Sequence, residues 1–473
     1  MTPLLQPAYR SEGLVAEADR CINLYHESVP GGYQLIGRPG LGVNRTLATG
    51  PIRGMHWPSK GDETLLVVSG NRLYEDAAGA PVDRGTLSTS TGPVVMIDNG
   101  LVMLLLTGST CYSFDFITSS FSVVGDAEFR IARTGCFLDG YFLTVPSDNT
   151  GDFQISALYM NLPGAGWVAT DTAKAESSPD RLMTIVSFNR QAWLLGLRST
   201  EVWFNSGNAL FPFERVEGSA VPVGCLSAYG AVATGRAVYW IGTSRDGSAG
   251  IYRAAGYGMP DRISTPRIER YFANLSTVLL DLTVASVYEE AGHTFVLFSA
   301  ASVDRTWVYD ETTDCWSEWR SLDGGSQDRF LGHFHQFVGA THYWGGGGTI
   351  GRLFQSVHAA PVHQDDGQTI TRQRAASHPQ EGTSATLWRE YETLVDTGGT
   401  VAAPTIDLDW SDDGGHTFST AVSRSAGSLT EKQKRVTWRR LGRAYDRIYR
   451  LTYAQNTRCT ILAADLTAEP LAS

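Results

Sequence analysis

The sequence predicts an all-β fold: a β-propeller of six or seven blades, led by an N-terminal extended arm and followed by a C-terminal β-sandwich-like domain. Three observations predict it. A short apolar run ending in Gly or Ser, then an aromatic residue entering a polar turn, recurs along the middle of the chain. Its aromatic markers, Tyr74, Tyr112, Tyr159, Trp203, Tyr252, Tyr309 and Phe354, are spaced by 38, 47, 44, 49, 57 and 45 residues. Helical periodicity is almost absent, with one short candidate at Pro266–Ala273. A period of about 40–50 residues built from short strands marks a propeller, in which each repeat is one blade.

The elements follow in order. Residues 1–50 are punctuated by Pro and Gly and read as an arm or irregular lead-in. The start, Met1-Thr2-Pro3-Leu4-Leu5, has no basic residue and no apolar signal core, so a chain kept in a cytoplasm or packed into an assembly formed there is expected. Residues 51–361 carry the strand phrases. Gly140–Val145 and His293–Phe298 are β-branched and aromatic runs bounded by turn residues. The 57-residue gap admits seven blades, or six blades and an insertion. Residues 362–473 read as a separate domain. It opens on a polar linker or exposed hairpin at 360–384, and its strands are read at 405–410, 435–439 and 447–453. Tyr449-Arg450-Leu451-Thr452-Tyr453 alternates as a sheet with one wet face does. One of these strands returning to close the propeller ring is the alternative topology, since closure protects edges.

Composition narrows the function classes. The 473 residues are 42% hydrophobic with 50 Gly, enough for a large core and many tight turns. No apolar run approaches the ~20 residues of a membrane span. Six cysteines lack any C-x-x-C spacing, so buried free thiols are expected rather than a zinc site. The formal charge of −11 argues against a protein that wraps nucleic acid. Yet 432–450 holds eight basic residues and one acidic residue. Arginine suits bidentate contacts at interfaces.

Several phrases near both ends resemble one known family. Asn23-Leu24-Tyr25-His26-Glu27, Gly31-Gly32-Tyr33 and Arg38-Pro39-Gly40-Leu41 are followed by Arg53-Gly54 and by Val68-Ser69-Gly70-Asn71-Arg72-Leu73-Tyr74. Trp410-Ser411-Asp412-Asp413-Gly414-Gly415-His416-Thr417-Phe418 and Trp438-Arg439-Arg440-Leu441-Gly442 stand near the other end. In this order they resemble the packaged-DNA stabilisation proteins, the tail hub or nozzle proteins of short-tailed bacteriophages. His26, where the family has Pro, and Arg38, where it has a small or polar residue, depart from the pattern. The resemblance implies a structural virion protein, not an enzyme, located in the tail and assembled in the host cytoplasm. It implies a homo-oligomer, a hexamer, below the portal and its adaptor ring. It would close or extend the DNA exit channel and mount fibres or spikes and a tail tip. DNA would pass without specific binding, and no cofactor is implied. Interface residues expected on this reading are Arg435, Arg439, Arg440, Arg443 and Arg447, with Asn23, Leu24 and Tyr25.

Five constellations invite chemistry. Ser411, Asp413, Gly415, Thr417 and Phe418 fit the Asp-box pattern, a structural turn in sialidase-like propellers. A sialidase-like glycoside hydrolase is the enzymatic alternative, and a generic propeller protein-binding module is the other. His333 and His335, two apart on a strand and so on one face, could hold a metal with His342, although packing on a sheet face explains them too. Asp365-Asp366 beside His363 could hold a divalent ion or be an exposed loop. Gly345-Gly346-Gly347-Gly348 lacks the Lys-Ser/Thr of a phosphate loop and reads as a turn. Asp310 to Trp319 reads as a turn with packing Trp, or as an acidic calcium loop.

Overall fold

The computed structural model describes residues 5–9, 19–47, 50–59, 64–76, 80–161, 166–175, 180–244, 247–300, 304–323, 326–346, 351–377, 385–400 and 402–471. Seven radial antiparallel sheets follow one another between Ile52 and Val357. Their innermost strands are Ile52–His56, Val95–Asp98, Ala132–Leu138, Leu182–Phe188, Ala231–Ala233, Val284–Glu290 and Gly332–Val338. Each packs on the next and the seventh packs on the first, so the ring closes with seven blades.

Packing explains the recurring phrase. The second strands of blades one and two, Leu65–Ser69 and Val102–Leu106, are buried along their whole length. Both of their faces meet a neighbouring blade, so apolar runs replace alternation. Leu66 and Val68 join Met103 and Leu105 between blades one and two. Leu65 and Val67 point the other way, to Leu353 of blade seven. Near the axis the strands crowd. A Cβ on Gly54 would lie 2.4 Å from the Val94 carbonyl oxygen, so only glycine fits there.

Six of the seven aromatic markers sit on the third strand of their blade, and Tyr159 lies just past it. The long gap holds an insertion of two helices, α1 (Pro266–Ala273) and α2 (Thr277–Asp281). Pro266 presets the first turn of α1, and Ile268 and Phe272, four apart, are its buried face. Asp281 at the end of α2 accepts a 2.7 Å ion pair from Arg133 on the inner strand of blade three. The insertion thus tethers distant blades.

The N-terminal stretch is not a free arm. It forms β1 (Arg20–Ile22), β2 (Leu24–Val29), β3 (Gly32–Gly37) and β4 (Gly42–Leu47). Blade seven has three strands of its own, and β4 supplies the fourth by pairing with Gly351–Val357. Ring closure therefore comes from the N-terminal side, not from a C-terminal strand. The first three strands join the C-terminal half. One sheet runs β2, β3, Thr460–Pro470, Thr386–Asp396 and Gln433–Ala444. The facing sheet runs β1, Arg372–Ser377, Ile448–Tyr453, Thr405–Ser411 and Val422–Ser425. Trp388, Tyr391, Trp438, Leu408 and Leu451 fill the space between them. β1 also pairs in parallel with Cys315–Asp323 of blade six, Ile22 opposite Glu318, so propeller and sandwich share one continuous sheet.

Within the polar stretch at 360–384 lie the hairpin Gln364–Asp365 with Gln368–Thr369 and the strand Arg372–Ser377. Residues 378–384, and 347–350 of the glycine run, lie outside the described residues. All six cysteines are free and buried, and burial pushes the Cys21 and Cys136 thiols up to about 12. Among the described residues no helix is long and apolar enough to cross a membrane.

Candidate functional site

The basic stretch divides in two once folded. Among the described residues Gln433–Ala444 is the last strand of its sheet and pairs only with Thr386–Asp396. Alternation sends Val436 and Trp438 inward and leaves Arg435 and Arg439 outside. Arg435 pairs with Glu392, and the Arg439 Nε donates to Glu390 at 2.6 Å. Arg440 takes a φ of +60° and Gly442 of +84°, which breaks the regular edge. Arg440 and Arg443 are exposed, and their side chains make no ion pair or hydrogen bond among the described residues. Arg447 does not belong to this surface. It is buried, donates to both oxygens of Asp412 at 2.6 and 2.7 Å, and bonds the Leu441 carbonyl. Arg450 grips Asp409 and stacks 3.7 Å from the Phe418 ring centre.

Asn23, Leu24 and Tyr25 are also corrected. All three are buried inside this chain. Asn23 adopts a φ of +55°, and its side-chain oxygen accepts from Arg38 Nε and the Arg320 amide, both at 2.8 Å. Its amide nitrogen donates to the Thr371 carbonyl at 2.8 Å. Leu24 lies in the sandwich core, and Tyr25 packs between blades six and seven. The phrase is a stitch between halves of one molecule, and burial leaves these residues little surface to offer a neighbour. Arg38, the departure from the family pattern, is fully buried in a two-pronged pair with Asp365, under the Phe330 ring at 4.6 Å. Asp365 is therefore neither an exposed loop residue nor a free metal ligand.

The parallel β1 junction carries the densest charge. Glu318 is completely buried, with Arg320 Nη2 at 2.7 Å, Arg20 at 3.1 Å, Arg305 at 3.4 Å and Arg267 at 3.6 Å. The Tyr9 hydroxyl donates to it at 3.0 Å. Burial alone would raise its carboxyl, but these arginines outweigh burial and hold it far below the usual carboxylate range. The sequence reading missed this cluster. Its one signal was a carboxylate at an alternating position of an aromatic strand, Trp316, Glu318, Arg320.

A second tether lies beside it. The buried His293 ring faces Asp310 at 2.8 Å and Glu27 of β2 at 2.7 Å. Burial opposes protonation, yet the two carboxylates prevail and raise its pKa above the ordinary value. A raised His contributes stability that is complete below its unfolded pKa of about 6.5 and is lost as pH rises through the folded value. His293→Gln is therefore expected to cost about 1–2 kcal/mol at acidic to neutral pH and less at alkaline pH, the Glu27 side being partly solvated. Urea denaturation at both pH values checks it.

The remaining constellations are internal. The Ser411 hydroxyl donates to Asp413 at 2.6 Å, and Gly415 N donates to Ser411 Oγ at 2.8 Å. Thr417 donates to Asp413 from its amide at 2.9 Å and its hydroxyl at 2.6 Å. These bonds lower the Asp413 pKa and close the turn on itself. His333 and His335 do not act together, because the register shift between Gly332 and Phe334 breaks their alternation. His335 Nε2 instead meets His342 Nδ1 at 2.9 Å, while His333 sits by Arg329. Among the described residues no group of three or more His, Cys, Asp or Glu is placed to hold a metal ion.

The backbone resembles two solved structures weakly. Both are extracellular domains from B. thetaiotaomicron, of a hybrid two component system (TM-score 0.45, 9% identity) and of a one component system (TM-score 0.44, 10% identity). Each alignment covers 67% of this chain and 40% of the other, so the chain spans well under half of those structures. No curated protein sequence matches the chain. Family models do match: that described as the Bacteriophage P22 Gp10 β-propeller covers residues 23–357, and that of its β-sandwich covers residues 372–469. With a closed propeller and a packed sandwich in that order along one sequence, the chain belongs to the P22 Gp10 family, the packaged-DNA stabilisation proteins of short phage tails.

Proposed function

We propose that this tail structural protein is one subunit of a hub ring, a hexamer, seated below the portal and its adaptor ring. The ring extends or closes the DNA exit channel, retains the packaged genome and mounts fibres or spikes and a tail tip. The protein is not an enzyme, it resides in the virion tail, and it assembles in the host cytoplasm. The observation that carries this reading is the pair of family matches, which together span nearly the whole propeller and sandwich.

Charge supports it. Each phosphate neutralised by a protein adds to affinity and slows passage, so a channel for moving DNA is best built from a net acidic chain. This one carries −11. Concentrating exposed arginine on one sandwich edge suits docking to an oppositely charged partner. Reversing Arg439, Arg440 and Arg443 together is expected to lower the yield of tailed, DNA-filled particles at least tenfold, about 1.4 kcal/mol or more of lost docking energy. Negative-stain imaging of particles from complemented infections reads the outcome. Undiminished tailing overturns the arginine edge as the docking face, and filled, infectious particles from a phage lacking the gene overturn the hub.

A further inference from the structure

We propose that the notch where the sandwich edge bulges is a seat for an extended, carboxylate-bearing segment of a partner protein. The inference rests on the hub reading and specifies the chemistry of its docking face. Register shifts between Trp388 and Glu390, opposite the left-handed Arg440, and this double irregularity opens a depression of about 720 Å³. Leu387, Arg389, Glu390, Arg439, Arg440 and Thr467 line it, and Trp388, buried in the sandwich core, borders it from beneath. Gly442 contributes no side chain to obstruct it.

The charges select the occupant. Arg389 is already matched by Glu469, and Arg439 by Glu390. Of the arginines at this notch, Arg440 in its lining and Arg443 beside it make no ion pair among the described residues. Each presents a planar fork of donors that fits a carboxylate. A run of phosphates fits poorly, because it brings a charge at every unit, whereas the arginines paired with Glu390 and Glu469 are already neutralised and leave few donors to match it. An extended peptide fits better: it sets carboxylates against the free forks, and its apolar or neutral side chains, alternating with them, lie toward the half-buried Leu387. Charges on an edge strand also deter edge-to-edge aggregation, but that protection needs neither a paired bulge nor the depression it opens.

The test uses the full chain and a labelled peptide alternating Glu and Thr, read by fluorescence anisotropy at low salt, with duplex DNA of equal charge as competitor. Binding is expected to saturate, to weaken at least tenfold in Arg440→Glu/Arg443→Glu, and to persist in Arg424→Glu, a control of similar kind on the strand Val422–Ser425. Unchanged melting of the double variant excludes misfolding. Equal loss in the control, no binding by the wild type, or DNA displacing the peptide as well as unlabelled peptide does would each overturn the proposal. Tail assembly is scored separately. A wild-type chain that builds tails yet binds no peptide sinks the notch alone, whereas peptide binding by a chain dispensable for tails sinks the hub alone.

Discussion

Glu318→Ala will destabilise the chain by about 3–5 kcal/mol, the range found when one partner of a buried ion pair is removed. The reason is the imbalance left behind. Glu318 has no exposed surface, and Arg20, Arg267, Arg305 and Arg320 all converge on it. Asp304 reaches Arg305 and Arg320 but is itself half-exposed, so it cannot neutralise the buried set. Without the carboxylate, guanidiniums stay desolvated and repel one another. The damage falls on the sheet that, among the described residues, is continuous between propeller and sandwich, where Ile22 of β1 stands opposite Glu318. Unfolding in urea followed by tryptophan fluorescence will show a lower midpoint, with the sandwich released before the propeller. Glu318→Gln will recover part of the loss, because it keeps the volume and an acceptor for Tyr9. The acid response follows from the same geometry. The carboxyl is held far below its ordinary value, so its contribution is complete above the unfolded pKa of about 4.3 and is lost only as pH falls toward the folded one. The wild type will therefore hold its advantage over Glu318→Gln through mild acid and yield it only in strong acid.

What the sequence revealed and what it hid divide along the range of the interactions. The blades were legible because each is a local object: strands joined by short turns repeat one phrase, and six markers fall on the same strand of their blade. The helical insertion appeared as the long gap, and α1 as its one amphipathic turn. The Asp-box residues interact within a single loop, and the pattern alone locates that turn. The junction was not legible. Asn23 looked like a surface motif because two of its side chain's three partners, Arg320 and Thr371, lie 297 and 348 residues away. Arg447 and Arg443 are alike as letters, and only the turn after Ala444 aims one at Asp412 and the other at solvent. Glycine-rich β2–β4 read as an arm because strands that complete another sheet need little apolar surface of their own. β4 is mostly half-exposed, with Leu47 its one buried residue.

That one residue sets the second large effect. Leu47→Ala is expected to cost about 2–5 kcal/mol, as truncation of a buried leucine does when the cavity cannot collapse. Leu47 packs with Ile52, Val67 and Leu353 where blade seven meets blade one. Arg45 adds a 2.8 Å pair to the half-buried Asp76 of blade one, so β4 is fastened to both sides of the seam. Val43 on the same strand is exposed, and Val43→Ala should stay within about 0.5 kcal/mol. Hydrogen exchange will separate a local effect from ring opening. If β4 is the clasp, Leu47→Ala speeds exchange along Gly351–Val357 and along Leu65–Ser69 together, while blades three and four keep their protection. Uniform loss across all blades would instead mean that the ring unfolds as one unit. The clasp also links the two halves mechanically. Only four residues separate the end of β3 in the sandwich from the start of β4 in the propeller. A pull on the sandwich edge is thereby delivered to the seam of the ring, and Arg38, between the two strands, resists it through its buried pair with Asp365. Arg38→Ala should weaken the seam as Leu47→Ala does, with the same exchange pattern, although among the described residues its hydrogen bonds, ion pair and ring contacts all lie outside blade one.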